Sequence, residues 1–403
     1  HEGHDDLRLL SAFLSMRIKS VQPQKSGNLR INKIDLTGYK GSAILHLLKR
    51  LSNGWRRIGL KRVSIKDVAR EAGVSASTVS YVLNSTPTET ISPGTQRRVM
   101  EAVSKLGCVP NLNARSLSSH HSNLIGVLIP QTEPGKELMF SNPFYGELLS
   151  SIEYTARQHG YHLLLSGTKE DQDYLSIAQN RGVDGVIIVG TYPGENLNAL
   201  KTLGVPIVLV DSYVKDDAFH TIGIEDKDGA RMATRYLIEK GHRDIAFISG
   251  SIRENGVNIK RYQGYCDAMR EAGLAVNEQA IYAGTVDYEY GVDAAREYLA
   301  RGRKQTAAFV TADVITMGLI KGLQQNHIRI PEDVSIVSFD DVYLSQMAHP
   351  ALTTIHQDIG EKGRQAVQLV LEAASSKEHH HTECILPLSL VERESVCERR
   401  DDA

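Results

Sequence analysis

From Asn123 onward the chain alternates short apolar runs with stretches of helical period, a rhythm that leaves few folds open. The runs LIGVLI, YHLLLS, VDGVIIV and VPIVLV are separated by FYGELLSSIEYTARQHG, by a helix toward Arg181 and by another after Val189. After Ile222 the rhythm restarts: a helix to Gly241, DIAFISG, a helix to Gly273, AIYAG, a helix to Ala300, AAFVTA, a helix to Asn326, and VSIVSF. Strands buried on both faces read as continuous apolar runs, and crossover helices make such strands parallel. Two doubly wound α/β lobes with a cleft between them are therefore expected. Ligands of such sheets sit beyond the carboxyl ends of the strands.

A different pattern precedes the lobes. In VSIKDVAREAGVSASTVSYVLN, Ile65, Val68, Ala69 and Ala72 fall at i, i+3, i+4 and i+7, the spacing of one helix face, with Ser64 and Asp67 as a capping box. Gly73 ends that helix. Ser75 caps a second, whose Val79, Val82 and Leu83 share a face, leaving Ser77, Ser80 and Tyr81 outward and Ala76 at the exposed first turn. A third helix follows in ISPGTQRRVMEAVSKLG, with Ser92 as cap, Pro93 at its first position, and Val99, Ala102, Val103 and Leu106 inward. Two short helices pinched around a glycine form a helical hairpin in a core or a reading head for the DNA major groove. The third helix, with the polar stretch after Pro110, favours the head.

Charge is distributed to match. The chain carries −2 overall, yet residues 1–59 hold 11 Lys and Arg against 4 Asp and Glu. Residues 60–120 hold 8 against 4, and residues 121–403 hold 27 against 40. A basic front on an acidic body suits attachment to phosphates through one end. The four cysteines, Cys108, Cys266, Cys384 and Cys397, have neither metal-ligand spacing nor a dense disulfide framework, which suits reduced thiols in a cytoplasm. No apolar run approaches the roughly 18 residues needed to span a bilayer, and the first 25 residues lack a signal-peptide pattern.

Several strings, in order, resemble the LacI/GalR (lactose/galactose repressor) family of bacterial transcription regulators: IKDVAREAGVSASTVSYVLN, VPNLNARSL, DKDGARMATRYLIEKGHRDIAFISG, RYQGYCDAMREAG, IPEDVSIVSFDD, PALTTIHQDI and LPLSLVERES. The resemblance implies an N-terminal three-helix helix-turn-helix head plus hinge helix, joined to a two-lobed periplasmic-binding-protein-like doubly wound α/β effector domain. It places an extension at 1–59, the head at 60–121 with its hinge at about 111–118, and the effector and dimerisation domain at 122–403. The extension reads either as a disordered basic arm or as translated upstream sequence before an initiation codon at Leu60.

By the same resemblance, Ser75, Thr78, Ser80 and Asn84 hold phosphates, while Ala76, Ser77 and Tyr81 face bases. Tyr81 stands where many members carry an arginine. Hinge residues Asn111, Ala114 and Leu117 would meet the minor groove, with Leu117 as a wedge between base pairs. In the body, Asp211 follows VPIVLV and Asp313 follows AAFVTA, so their oxygens can accept hydroxyl protons, and Arg261 can offer a planar fork. Phe144 offers a stacking surface, and Val286 stands where members often stack an aromatic ring. Alternatives remain at each position: a helix N-cap for the carboxylates, an ion pair within the lobe for Arg261, and core packing for Phe144 or Tyr145. Thr311-Ala312-Asp313 replaces a common Asn-Asp pair, and Ser338 replaces a common glycine.

No GxGxxG, GxxxxGK[ST] or GxSxG string follows a strand, so catalysis lacks its usual groups and no cofactor is expected. Three consecutive histidines, His379 to His381, with Cys384 suit an exposed loop better than a metal site. The expected function is a regulator, most simply a repressor, that binds palindromic operator DNA as a homodimer, nucleoid-associated when bound. A small effector, a sugar or sugar derivative, would control it. The competing reading is a sugar-binding protein without DNA regulation.

Overall fold

The computed structural model describes residues 18–23, 29–34, 63–84, 91–107, 121–131, 139–169, 182–190, 198, 200–254, 256–376 and 380–399. The chain divides into two compact units, His1–Pro110 and Asn111–Ala403.

In the first unit, strands β1 (Ile18–Pro23) and β2 (Leu29–Ile34) pair antiparallel, an element that periodicity in this segment does not announce. The helical head is α1 (Ile65–Ala72), α2 (Ala76–Asn84) and α3 (Pro93–Leu106). Val68, Ala69, Ala72, Val79, Val99 and Ala102 are buried together, with Ile65, Val82, Leu83, Val103 and Leu106 packed around them, so the expected faces do form the core. Gly73, at φ 65°, and Gly107, at φ 63°, end α1 and α3 in the left-handed region that glycine enters without penalty. At the start of α1 the Asp67 carboxylate accepts the Ser64 amide at 3.0 Å and the Ser64 hydroxyl at 2.6 Å.

The second unit contains two six-stranded sheets. The first has the order β13-β7-β6-β5-β3-β4 and is wholly parallel. Its strands are β3 (Leu124–Gln131), β4 (His162–Lys169), β5 (Gly185–Val189), β6 (Ile207–Val210), β7 (His220–Ile224) and β13 (Glu383–Leu386). The second has the order β14-β12-β11-β10-β8-β9, parallel except where β14 meets β12. It comprises β8 (Ile245–Gly250), β9 (Ile281–Gly284), β10 (Ala307–Val310), β11 (Ser335–Asp340), β12 (Thr353–Gln357) and β14 (Leu388–Val391). The described helices are α4 (Pro143–Gln158), α5 (Asp226–Glu239), α6 (Val257–Glu271), α7 (Tyr288–Ala300), α8 (Asp313–Gln325) and α9 (Ile359–Ser375).

The chain passes between the sheets three times, and the helices show where each passage leads. α5 follows β7 of the first sheet yet packs on the second: its Gly229 lies against the Phe339 ring of β11 and Leu388 of β14. α9 follows β12 of the second sheet yet packs on the first, with Val370 over Gly185 and Gly363 against Ser151 and Leu148 of α4. The third passage joins β13 to β14. Periodicity assigned four strands to each lobe, and β7, β12, β13 and β14 escaped it. β7 alternates buried and half-buried residues, while β13 and β14 lie at sheet edges and are mostly exposed or half-buried, so none reads as a continuous apolar run.

Candidate functional site

The head presents one face of α2. Ser75 Oγ accepts the Thr78 amide at 3.0 Å and meets Thr78 Oγ1 at 2.8 Å, which fixes the start of the helix. Val79 is fully buried, so the helix is anchored from below while Ala76, Ser77 and Tyr81 are exposed and Ser80 is half-exposed. Small residues at the first turn let a helix end approach base edges closely, and the Ser77 and Tyr81 hydroxyls offer both donor and acceptor. Asn84 ends α2. Asn111, Ala114 and Leu117 lie outside the described residues.

In the body, the carboxyl ends of the strands collect buried charge. Arg261, on α6, is 7% exposed and donates from Nε to Asp226 Oδ1 at 2.7 Å. It also donates from a terminal nitrogen to the Thr311 carbonyl, approaches Asp340 Oδ1 at 3.7 Å, and stacks 3.7 Å over the Phe339 ring. Burial opposes its charge, and Asp226 and Asp340 more than offset that, holding the guanidinium protonated. Asp226 in turn accepts the Tyr213 hydroxyl at 2.5 Å. The ion pair considered for Arg261 is thus present, and its position at the end of β10 is that of the expected site.

Asp211 closes β6 at φ 53°, a left-handed backbone that costs a non-glycine residue energy, and its Oδ1 meets Lys362 Nζ at 2.5 Å. Lys362, fully buried on α9, also donates to Gln357 Oε1, and its Nζ stands 5.6 Å from the centre of the Phe144 ring. Gln357 passes a hydrogen bond from Nε2 to Asp340 Oδ1 at 2.6 Å. Asp340 sits at φ 111°, and burial, reinforced by Asp211, pushes its carboxyl up to about 6 against the pull of Arg261 and Lys362.

The structure therefore brings Asp211, Arg261 and Phe144 into one network. Val286 lies beside Gly250 and Asn258, and an added methyl on Gly250 would strike the valine. Phe144 meets Tyr145 edge-on at 5.6 Å, and both pack against the core while staying half-buried. Asp313 is set apart at 0% exposure: Oδ2 accepts the Val342 amide at 2.9 Å and Oδ1 the Thr354 hydroxyl at 3.0 Å. Burial, then Asp340, raises its carboxyl well above the usual range. The N-cap position of α8 is Ala312, and Asp313 ties the turn after β11 to β12 through the Val342 amide and the Thr354 hydroxyl. Ser338 bonds Thr316 Oγ1 at 2.7 Å within this buried layer. Sequence reasoning missed Lys362, Gln357, Asp340 and Tyr213. Two signals were available: Lys362 stands inside the apolar stripe of α9, and Asp340 directly follows the run VSIVSF.

A helix-turn-helix head followed by a two-lobed body with a buried polar cluster at its strand ends defines a class: bacterial regulators that read DNA at one end and a small molecule at the other. Residues 64–111 match the family model for bacterial regulatory proteins, lacI family, and residues 234–396 match that of the periplasmic binding protein-like domain. The chain is 36% identical over 313 residues to catabolite control protein A of Priestia megaterium, covering 76% of this chain and 91% of that protein. It is 34% identical over 339 residues to the HTH-type transcriptional repressor PurR of Vibrio campbellii, covering 83% and 98%. Among solved structures it resembles a lac repressor dimer bound to operator and the anti-inducer ONPF, with 26% identity, a TM-score of 0.71 and coverage of 84% and 100%. It also resembles a CelR–cellobiose complex, with 28% identity, a TM-score of 0.60 and coverage of 83% and 100%. The chain belongs to the LacI family. It is a transcriptional regulator with a DNA-binding head and an effector-binding body, not an enzyme. Among the described residues no helix is long and apolar enough to cross a membrane.

Proposed function

We propose that this regulator represses transcription by binding a palindromic operator as a homodimer, and that a sugar or sugar derivative between the lobes controls its grip. It acts in the bacterial cytoplasm, on the nucleoid when bound. The observation that carries the reading is the pairing, in one chain, of an anchored α2 with an exposed polar face and a body whose strand ends gather Asp211, Arg261 and Phe144. The lac repressor neighbour is a dimer on its operator, and the CelR neighbour holds cellobiose. Ser75, Thr78, Ser80 and Asn84 are assigned to phosphates, Ala76, Ser77 and Tyr81 to bases, and Asn111, Ala114 and Leu117 to the minor groove. Phosphate contacts set register, whereas base-edge contacts select sequence.

Asp211, Arg261 and Asp313 are assigned to effector hydroxyls, Phe144 to stacking, and Val286 to the place beside the effector where members often stack an aromatic ring. The test pairs a gel shift on the chain's own upstream DNA with a thermal screen of sugars, nucleosides and sugar phosphates. A steeply salt-dependent shift that survives nonspecific competitor supports the repressor, and its absence supports a sugar binder without regulation. A ligand at 100 times its dissociation constant adds about 2.7 kcal/mol of stability, a gain that Arg261→Ala should remove.

A further inference from the structure

Helix α9 turns Ile359, Lys362, Gly363, Ala366, Val367 and Val370 inward, so a lysine with 0% exposure stands in an otherwise apolar stripe. An amphipathic helix fills such a position with an aliphatic side chain, because a buried ammonium is unfavourable unless fully matched. Local rules broken this way gather where a protein does more than pack. Here the match comes from both sheets. Asp211 Oδ1 lies 2.5 Å away at the end of β6, and Gln357 Oε1 lies at the end of β12.

The bonds continue and return. Gln357 reaches Asp340 at 2.6 Å, Asp340 faces Arg261 at 3.7 Å, Arg261 holds Asp226 at 2.7 Å, and Asp226 accepts Tyr213 at 2.5 Å. Tyr213 lies two residues from Asp211, where the circuit began. This closed ring encloses two of the three passages between the sheets: the one entering α5 at Asp226 and the one from Gln357 into α9. Asp211 and Asp340 both hold left-handed backbone, at φ 53° and 111°, a distortion that persists only where surrounding contacts enforce it.

We propose that Lys362 is a positioning residue that latches the two lobes in one mutual angle, and that effector control acts by making or breaking its bonds to Asp211 and Gln357. α9 and Asp211 belong with the first sheet while Gln357, five residues before Lys362, ends β12 of the second, so rotation about this passage loads the Lys362–Gln357 bond while Asp211 holds Lys362 to the first lobe. The proposal rests on the effector reading only through Asp211, which serves both the latch and the ligand. Packed interfaces switch between discrete arrangements rather than deform continuously, and a charged bond at the pivot supplies such a switch.

The test uses the full chain without ligand, spin-labelled at Glu153 on α4 and Lys321 on α8, both exposed. Pulsed electron resonance on the wild type should give one narrow distance distribution. Lys362→Met, which keeps length but removes charge, should displace or broaden it, and Lys362→Arg should restore it. Gln357→Leu should reproduce the Met result without altering α9, and it carries the test if Lys362→Met fails to fold. A wild-type distribution in either folded variant overturns the latch. Because no effector is present, that outcome leaves the effector assignment standing, and a failed sugar screen leaves the distance measurement standing.

Discussion

Asp340 shows how much one carboxyl can matter when it is buried beside another acid. Its folded-state value of about 6 lies above the usual 3.8, so the folded protein holds this proton more tightly than the unfolded chain. The contribution to stability is fully present below about 3.8 and is lost as pH rises through about 6. At about 1.4 kcal/mol per pH unit of displacement, Asp340 should make the protein on the order of 2 kcal/mol less stable at pH 7.5 than at pH 4. Asp313 acts in the same direction. Urea denaturation across that range should show the slope, and Asp340→Asn should flatten it; an unchanged slope would assign it elsewhere. Asp313→Ala should strand the Val342 amide and the Thr354 hydroxyl and cost about 2–4 kcal/mol even without ligand. Asp211 and Asp313 are legible in the sequence because each directly follows an apolar run. Asp340 follows VSIVSF in the same way, but neither its pairing with Arg261 nor that of Lys362 with Asp211 is legible, because those partners lie far away in the chain and a single sequence carries no sign of them.

At the scale of elements, backbone proximity sets the sharpest constraint. Gly291 of α7 and Gly318 of α8 face each other so closely that a methyl group on Gly318 would land on the Tyr288 carbonyl. Gly318→Ala should therefore force the two helices apart and cost about 3 kcal/mol or more, read as a lowered denaturation midpoint. In the head, Ser75→Ala should remove the acceptor for the Thr78 amide and cost about 1 kcal/mol. Its DNA affinity should fall at all sequences alike, because the cap fixes α2 without reading a base. Head helices and central strands are legible because their apolar periods are strong and their caps and glycines sit where helix chemistry demands. Strands β7, β13 and β14 are less legible because they are only partly buried, and β12, though buried, is spelled TTIHQ, so none shows the apolar run that marks a core strand.

For the whole molecule, the proposed binding of a palindromic operator by a homodimer would make the subunit interface part of the DNA-binding machinery. Tyr343 and Met347 are each 64% exposed and Leu344 40%, all on the turn after β11, an apolar group that a monomer would leave in water. The Tyr343 amide is held by Glu147 Oε1 at 2.6 Å, so the turn has a fixed shape to present to a second copy. A twofold interface uses the same patch on both subunits, so a single substitution is felt twice. If the proposed homodimer forms through this turn, Tyr343→Asp with Met347→Asp should place four carboxylates in its interface and yield monomers at micromolar concentration in sedimentation velocity, with each chain still folded. Operator affinity should then fall by about 10²–10⁴-fold, the loss expected when two linked binding events become independent. Binding to an isolated half-site, which needs only one head, should hardly change. A double variant that still sediments as a dimer would move the interface to another face, and one that becomes monomeric yet keeps full operator affinity would end the two-headed account of recognition.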